Sequence, residues 1–140
     1  MIDSALLDQL IAHEGMRLKP YRDSVGKLTI GCGRNLDDVG ISRGEAMGLL
    51  ANDVERVMSQ FDRAIPWWWT RLDGIRRAVL VDMGFNMGIQ ALLGFKATLG
   101  VVQAGRYELA AQDMLASRWA GQVGRHADDL AQMMRSGVRP

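Results

Sequence analysis

Residues 13–31 read HEGMRLKPYRDSVGKLTIG, and this stretch decides the expected fold. Upstream of it, residues 3–13 carry an apolar stripe at helical spacing, which predicts an amphipathic helix. The stripe consists of Leu6, Leu7, Leu10 and Ile11, with Asp3 or Ser4 placed to cap the helix. Gly15 is a natural helix terminator, so the helix is expected to end at Glu14.

Strand and turn signals follow this helix. Residues 17–34 predict a small antiparallel hairpin or meander. Its turn is expected at 24–27 and its clearest strand at 28–30. The hairpin should therefore fold back toward the end of the first helix.

Two acids and a threonine stand out by their spacing, namely Glu14, Asp23 and Thr29. The helix end and the hairpin are expected to bring them together across a cleft. Glycoside hydrolysis needs two carboxyl groups, because one protonates the leaving oxygen while the other activates water or stabilises the transition state. We expect the glutamate, partly surrounded by apolar residues, to retain its proton near neutral pH and the aspartate to be ionised.

The rest of the chain is predicted to be helical. Ser42 and Glu45 form a capping box for a helix of roughly twenty residues that should stop before Pro66. A mostly apolar helix around 75–87 is expected to be central and buried. Short helices punctuated by glycine are expected to follow it. Two further helices are predicted at 107–117 and at about 125–135.

The composition fits one folded domain of 140 residues, because 48% hydrophobic and 24% charged residues suffice for a sizeable core. A net charge of +1 without a basic stripe argues against nucleic-acid binding. Cys32 is the single cysteine, which excludes an internal disulfide. Its strand-like neighbours predict a small buried side chain rather than a nucleophile.

No stretch reaches the ~20 apolar residues of a membrane span, so we expect no stable membrane insertion. The N-terminus lacks the basic start and apolar run of a signal peptide. The chain is therefore expected to fold in a cytoplasm, and an extracytoplasmic substrate would require another factor to release it.

Several blocks of sequence follow one another in a known order over nearly the whole chain. They are His13-Glu14-Gly15, Tyr21-Arg22-Asp23, Thr29-Ile30-Gly31-Cys32-Gly33, Leu72-Asp73-Gly74-Ile75-Arg76-Arg77-Ala78, Met83-Gly84-Phe85-Asn86-Met87-Gly88, Gly94-Phe95, Ser117-Arg118-Trp119 and Arg135-Ser136-Gly137. In these blocks the chain resembles the T-even-type phage lysozymes, the muramidases of glycoside hydrolase family 24.

The resemblance implies Glu14 as the general acid, Asp23 as the second carboxylate and Thr29 as its helper in holding the attacking water. It implies inverting hydrolysis of the β-1,4 bond between N-acetylmuramic acid and N-acetylglucosamine in peptidoglycan. Inversion needs roughly 6.5–9.5 Å between the two carboxyl groups. It further implies glycan strands as the partner and a holin that releases the enzyme from the host cytoplasm to the periplasm. No metal or organic cofactor is expected, because side chains carry both proton transfers, and a monomer is the default expectation.

The resemblance also implies supporting residues. The expected substrate contacts are Leu28, Asn86, Phe95 and Arg125, and Arg125 would also pair with the catalytic glutamate. Met83, Phe85 and Met87 are expected in the core rather than as substrate contacts, and Trp119 is expected to be a buried packing residue.

The expected fold class is α+β, mostly α, in a single lysozyme-like domain over residues 1–140. A small lobe at about 15–60 would contain the antiparallel hairpin of residues 17–34. A larger helical lobe would comprise residues 1–14 and 66–140, and the long helix would join the two lobes.

Two departures from the family pattern concern the small lobe. Arg34 stands where the family usually has a histidine paired with an aspartate, and we expect it to pair with Asp53. The segment 34–42 is shorter than in the best-known member of the family, which should leave the cleft more open.

Trp67-Trp68-Trp69 has no placeable family counterpart. Three consecutive residues of a helix cannot share one face, so at least one indole is expected to be exposed or at a lobe junction. Contact with glycan or a membrane surface is one interpretation, and packing between helices is the other.

Three alternative functions stay open from the sequence. A lytic transglycosylase cleaves the same bond with a single essential acid, which the second carboxylate disfavours. A non-catalytic muramidase-like peptidoglycan-binding domain is disfavoured by the intact Glu14, Asp23 and Thr29. A helical nucleic-acid binder is disfavoured by the near-neutral charge.

Overall fold

The computed structural model describes all 140 residues, and their contacts divide the chain into two compact units, residues 1–49 and 50–140. The elements are α1 (Ser4–Glu14), β1 (Arg17–Arg22), β2 (Leu28–Gly31), β3 (Arg34–Asn35), α2 (Arg43–Ala64), α3 (Trp67–Arg71), α4 (Gly74–Met87), α5 (Ile89–Gly94), α6 (Lys96–Gln103), α7 (Tyr107–Ala116), α8 (Arg118–Val123) and α9 (Arg125–Ser136). The predicted α+β class with a helical majority is confirmed. The predicted lobe boundaries stay a prediction.

The first helix, α1, has the expected ends. The Asp3 carboxylate accepts a hydrogen bond from the Ala5 N–H at 3.0 Å and caps the N-terminus. Gly15 ends the helix with φ of 75°, and its N–H donates to the Ile11 carbonyl. The apolar stripe predicted for α1 is present in sequence, but no residue of the helix is buried.

The three strands form one antiparallel sheet in the order β1-β2-β3, which confirms the predicted meander. Thr29 in the central strand lies opposite Tyr21 on one side and Asn35 on the other. The register between β1 and β2 shifts between Arg17 and Tyr21. Pro20 lies within that interval, and its lack of an N–H donor suits an irregular stretch of an edge strand.

The prediction that Cys32 is buried in a strand is wrong. Cys32 is exposed in the tight turn between β2 and β3. Gly31 and Gly33 on either side have φ of 68° and 91°, in the left-handed region that glycine adopts without strain. These two conformations end β2 before the cysteine and turn its side chain out of the sheet.

Helix α2 begins with the predicted capping box. The Ser42 hydroxyl accepts from the Glu45 N–H at 3.1 Å, and the Glu45 carboxylate accepts from the Ser42 N–H at 2.9 Å. The helix ends at Ala64, two residues before Pro66, as expected. It begins in the first unit and ends in the second.

The apolar core lies in the second unit, where every buried hydrophobic side chain is at or beyond Val57. Helix α4 packs against both α5 and α9, while α7 packs along α9. The buried residues of α4 are Val79, Leu80, Met83 and Gly84. No helix in the structure is both long and apolar enough to span a membrane.

One core prediction on α4 is wrong. Met83 is buried and Met87 packs half-buried against the core, as expected, but the Phe85 side chain is 48% exposed. Asp82, Phe85 and Asn86 are three and four residues apart and therefore share the helix face that points to solvent. The helix face on which Phe85 lies, not its apolarity, decides its exposure.

The tryptophan run divides as the helical period requires. Trp68 is buried, and its indole N–H donates to the Asp62 carboxylate at 2.8 Å. Trp67 is half-buried against the core. Trp69 is 49% exposed and carries the Arg77 guanidinium 4.0 Å above its ring centroid. The prediction of at least one exposed indole is confirmed.

Candidate active site

Glu14, the predicted acid, is the last residue of α1 and is exposed. The turn at Gly15 directs the chain away from the helix axis immediately after it. The sequence predicted a partly apolar surrounding for this carboxyl group, whereas the structure leaves it open to solvent. Both Glu14 and the sheet belong to the first unit.

Asp23, the predicted second carboxylate, is held by the turn that joins β1 to β2. Its Oδ1 atom accepts hydrogen bonds from the N–H groups of Val25 at 2.9 Å and Lys27 at 2.8 Å. Its own N–H donates to the Lys27 carbonyl, and Gly26 with φ of 84° completes the turn. Because Oδ1 is occupied by the backbone, Oδ2 is the oxygen oriented for another partner.

Thr29 lies on the same face of the hairpin as Asp23. Tyr21 pairs with Thr29, and Asp23 follows two residues later at the turn, where its N–H donates to the Lys27 carbonyl. Thr29 is 3% exposed and is the one buried polar side chain of the chain. Its hydroxyl donates to the Lys27 carbonyl at 2.9 Å, which leaves its oxygen lone pairs to accept.

Leu28, a predicted substrate contact, is half-buried in β2 opposite Arg22. Its N–H donates to the Asp37 Oδ2 atom at 2.8 Å, which ties the loop after β3 back to the sheet. The hairpin thus brings three of the predicted site residues together within one short segment.

The other three predicted contacts lie in the second unit. Asn86 is exposed near the end of α4, and its side-chain oxygen accepts from the Trp119 indole N–H at 2.9 Å. Phe95 immediately precedes α6 and packs half-buried against the core. Arg125 is exposed at the first position of α9. Trp119 is buried as predicted.

The expected pair between Arg34 and Asp53 is wrong. The Arg34 guanidinium donates to Glu45 at 2.8 Å and to the Gly40 carbonyl at 3.1 Å. Asp53 instead pairs with Arg56, one turn along α2. The capping-box glutamate is nearer to β3 in the chain and already fixed by its bonds to Ser42, so it is the partner that the arginine reaches.

This pair shifts the pKa of both partners. The hydrogen bond from Arg34, followed by those from Ser42, lowers the pKa of Glu45 to about 2. The same contact with Glu45 raises the pKa of Arg34. The pair holds the loop that follows β3 against the beginning of α2.

Sequence reasoning missed an acid and a histidine in the second unit. Asp82 on α4 lies 2.7 Å from the His126 Nε2 atom on α9. The spacing of Asp82 four residues before Asn86 was a signal that they share a helix face. No signal in the sequence joins Asp82 to a histidine 44 residues away.

A groove of about 560 Å³ runs beside these residues in the second unit. Its lining is mostly apolar and comprises Leu50, Val54, Met58, Trp68, Trp69, Gly74, Arg77, Ala78, Val81, Asp82 and Phe85. None of the residues predicted for catalysis lines it. No group of three or more histidine, cysteine, aspartate or glutamate side chains is placed to hold a metal ion.

Comparison with known proteins agrees with this architecture. Residues 11–135 match the family model described as phage lysozyme. The chain is 24% identical to probable T4-type lysozyme 1 of Dictyostelium discoideum over 96% of both chains. It is 30% identical to the SAR-endolysin of Escherichia phage Mu, over 87% of this chain and 74% of that protein.

The small antiparallel sheet, the helical majority and these matches define the class, a peptidoglycan-degrading enzyme. Within that class the chain belongs to the phage lysozyme family.

Proposed function

We propose that this enzyme hydrolyses the β-1,4 glycosidic bond between N-acetylmuramic acid and N-acetylglucosamine, with inversion at the anomeric carbon. The observation that carries the proposal is the β1–β2 hairpin. There the Asp23 carboxylate is fixed by two backbone N–H groups and shares a face with the Thr29 hydroxyl.

The hairpin residues supply the attacking water. Asp23 Oδ2, which the turn leaves unoccupied, accepts one hydrogen of that water and removes the proton as the water attacks. The Thr29 hydroxyl donates its hydrogen bond to the Lys27 backbone carbonyl, so its oxygen can accept a hydrogen bond from the second hydrogen of the water. The two acceptors together orient the oxygen of the water toward the sugar.

Glu14 supplies the proton for the leaving group. Glu14 is the last residue of α1, just before the turn at Gly15, so the helix fixes the position of its backbone. In an inverting enzyme the acid and the base lie roughly 6.5–9.5 Å apart, because the water occupies the space beside the sugar. Leu28, Asn86, Phe95 and Arg125 contact the glycan in this proposal.

The test compares the wild type with Glu14→Gln and Asp23→Asn on purified Gram-negative peptidoglycan. We expect each substitution to lower the release of reducing ends by about 100- to 10,000-fold, the range that general acid–base catalysis contributes. The initial anomer of the product, followed by NMR, should be α for an inverting enzyme acting on a β bond.

Asp8→Asn is the matched control, because Asp8 is an exposed acid on the same helix as Glu14. Its activity should equal that of the wild type. Full activity of Glu14→Gln would exclude Glu14 as the acid. Products that carry a 1,6-anhydro ring would instead identify a lytic transglycosylase.

A further inference from the structure

The solvent-facing side of α4 carries two polar side chains that the following helices hold in place. Asp82 and Asn86 are four residues apart, about 6 Å along the helix axis. Asp82 Oδ1 lies 2.7 Å from His126 on α9, and Asn86 Oδ1 accepts from Trp119 on α8. Each polar group is thus anchored on one side and open on the other.

The anchoring bonds decide which atoms remain for a ligand. An indole nitrogen only donates, so the oxygen of Asn86 faces Trp119 and its NH2 group is free to donate. The carboxylate of Asp82 occupies Nε2 of His126, which leaves Nδ1 of the ring and Oδ2 of Asp82. Asp82 and His126 are 47% and 39% exposed, so these atoms are accessible.

The row therefore presents a donor from Asn86, an acceptor from Asp82 and a ring nitrogen from His126. Sugar hydroxyl and acetamido groups both donate and accept, and they match such a mixed row better than a purely cationic or apolar ligand does. The exposed Phe85 ring lies on the same helix face, where the apolar side of a sugar ring can pack.

The Asp82–His126 pair is expected to contribute little to the stability of the fold. Exposed ion pairs of this kind contribute little to folding. The contact between α4 and α9 is already formed by buried side chains, with Val79, Leu80 and Leu130 each at most 2% exposed. The α4–α9 contact does not depend on the Asp82–His126 pair, so the effect of the pair is to fix two functional groups on the surface.

We infer that Asp82 and His126 bind the glycan strand beside Asn86, as a paired carboxylate and imidazole that hydrogen-bond an N-acetylated hexosamine. This inference deepens the proposed function and rests on it for the identity of the glycan. Asp82 and His126 act on binding and take no part in proton transfer to the scissile bond.

The test uses the full chain with Asp82→Asn, His126→Gln and the double variant. Binding of N-acetylglucosamine tetramer is measured by calorimetry, and KM and kcat are measured on purified peptidoglycan. Each single substitution should weaken tetramer binding and raise KM by about tenfold, with kcat within about twofold, because a hydrogen bond to a charged group is lost. The double variant should bind the tetramer about as tightly as either single variant does, because the two residues act as a unit.

Glu108→Gln is the matched control. Glu108 pairs with Arg135 at 2.7 Å, which is also an exposed pair between α9 and a neighbouring helix. If loosening of α9 caused the loss of binding, Glu108→Gln would reproduce it, and the inference would be overturned. Wild-type affinity in Asp82→Asn and His126→Gln, or no tetramer binding by the wild type, would overturn it as well.

The two proposals fail in different ways. Unchanged activity of Glu14→Gln would remove the catalytic assignment. Tetramer binding would still test whether Asp82 and His126 bind the glycan. Unchanged tetramer binding in the Asp82 and His126 variants removes the inference but leaves the effect of Glu14→Gln intact.

Discussion

Glu45 combines a local and a distant role in one side chain. Its carboxylate accepts from the Ser42 N–H as part of the cap of α2, and it also accepts from the Arg34 guanidinium. The first contact follows from a spacing of three residues, and the sequence pattern predicts it. The second joins residues eleven positions apart and depends on where the loop between β3 and α2 places Glu45 relative to Arg34.

The low pKa of Glu45 makes the stability of the protein depend on pH. Because the carboxyl pKa is lowered from 4.5 to about 2 by folding, the pair contributes stability above pH 4.5. That contribution decreases as the pH falls from 4.5 toward 2, because the unfolded state then binds a proton that the folded state does not. We expect Glu45→Gln to lower the thermal midpoint at pH 6, and the difference from wild type to shrink steadily below pH 4.5.

The control for this prediction is Glu55→Gln, an exposed glutamate on the same helix. Its midpoint should follow that of the wild type across the whole pH range. Thermal unfolding followed by circular dichroism at pH 6, 4.5, 3.5 and 2.5 supplies the measurement. A pH-independent effect of Glu45→Gln would contradict this prediction, because glutamine can still cap the helix and the substitution removes only the titrating charge.

At the scale of elements, the crossing of α2 and α4 depends on one glycine. A Cβ atom added at Gly84 would lie 3.1 Å from Phe61 Cζ and 3.2 Å from Val57 Cγ1. Phe61 is fully buried and Val57 nearly so, which leaves neither side chain room to move. The absence of a side chain at Gly84 therefore allows the Phe61 and Val57 side chains of α2 to pack directly against the backbone of α4.

We expect Gly84→Ala to destabilise the protein by about 1 kcal/mol. Overpacking of this kind costs about 1–3 kcal/mol, and the better helix propensity of alanine offsets up to about 1 kcal/mol of it. Urea unfolding measures the change. Gly100→Ala in α6 is the control, because its Cβ would meet nothing within 4 Å. That variant should be more stable by about 0.5–1 kcal/mol, and equal effects at the two sites would contradict the close approach.

At the scale of the whole molecule, burial is distributed unevenly. The apolar core begins at Val57, whereas Thr29 is the one buried residue among the first 49. Small segments without an apolar core rarely fold alone, because the entropy of ordering the chain is not offset by apolar burial. The second unit has an apolar core that can support independent folding, and the first unit has none.

We therefore expect a fragment of residues 50–140 to unfold cooperatively, and a fragment of residues 1–49 to show no cooperative transition. All four tryptophans lie between residues 67 and 119, so their fluorescence reports on the larger fragment. Circular dichroism during heating follows the smaller one. A gradual loss of tryptophan signal from residues 50–140 would show that the core needs the first 49 residues.

Local chemistry in the sequence determined the ends of elements and the geometry of the hairpin turn. The caps at Asp3 and Ser42, the stop at Gly15 and the bonds that hold Asp23 all join residues within four positions of one another. Interactions of such short range depend on residue type and spacing, so the sequence predicts them. The same reasoning explains why Asp23 and Thr29 could be placed on one hairpin.

Tertiary structure alone decided the contacts that link distant segments. The Glu45 partner of Arg34, the His126 partner of Asp82 and the exposure of Phe85 depend on how the turn after β3 and the packing of α4 and α9 orient each side chain. A helical period shows which residues share a face, but only packing decides which face meets solvent.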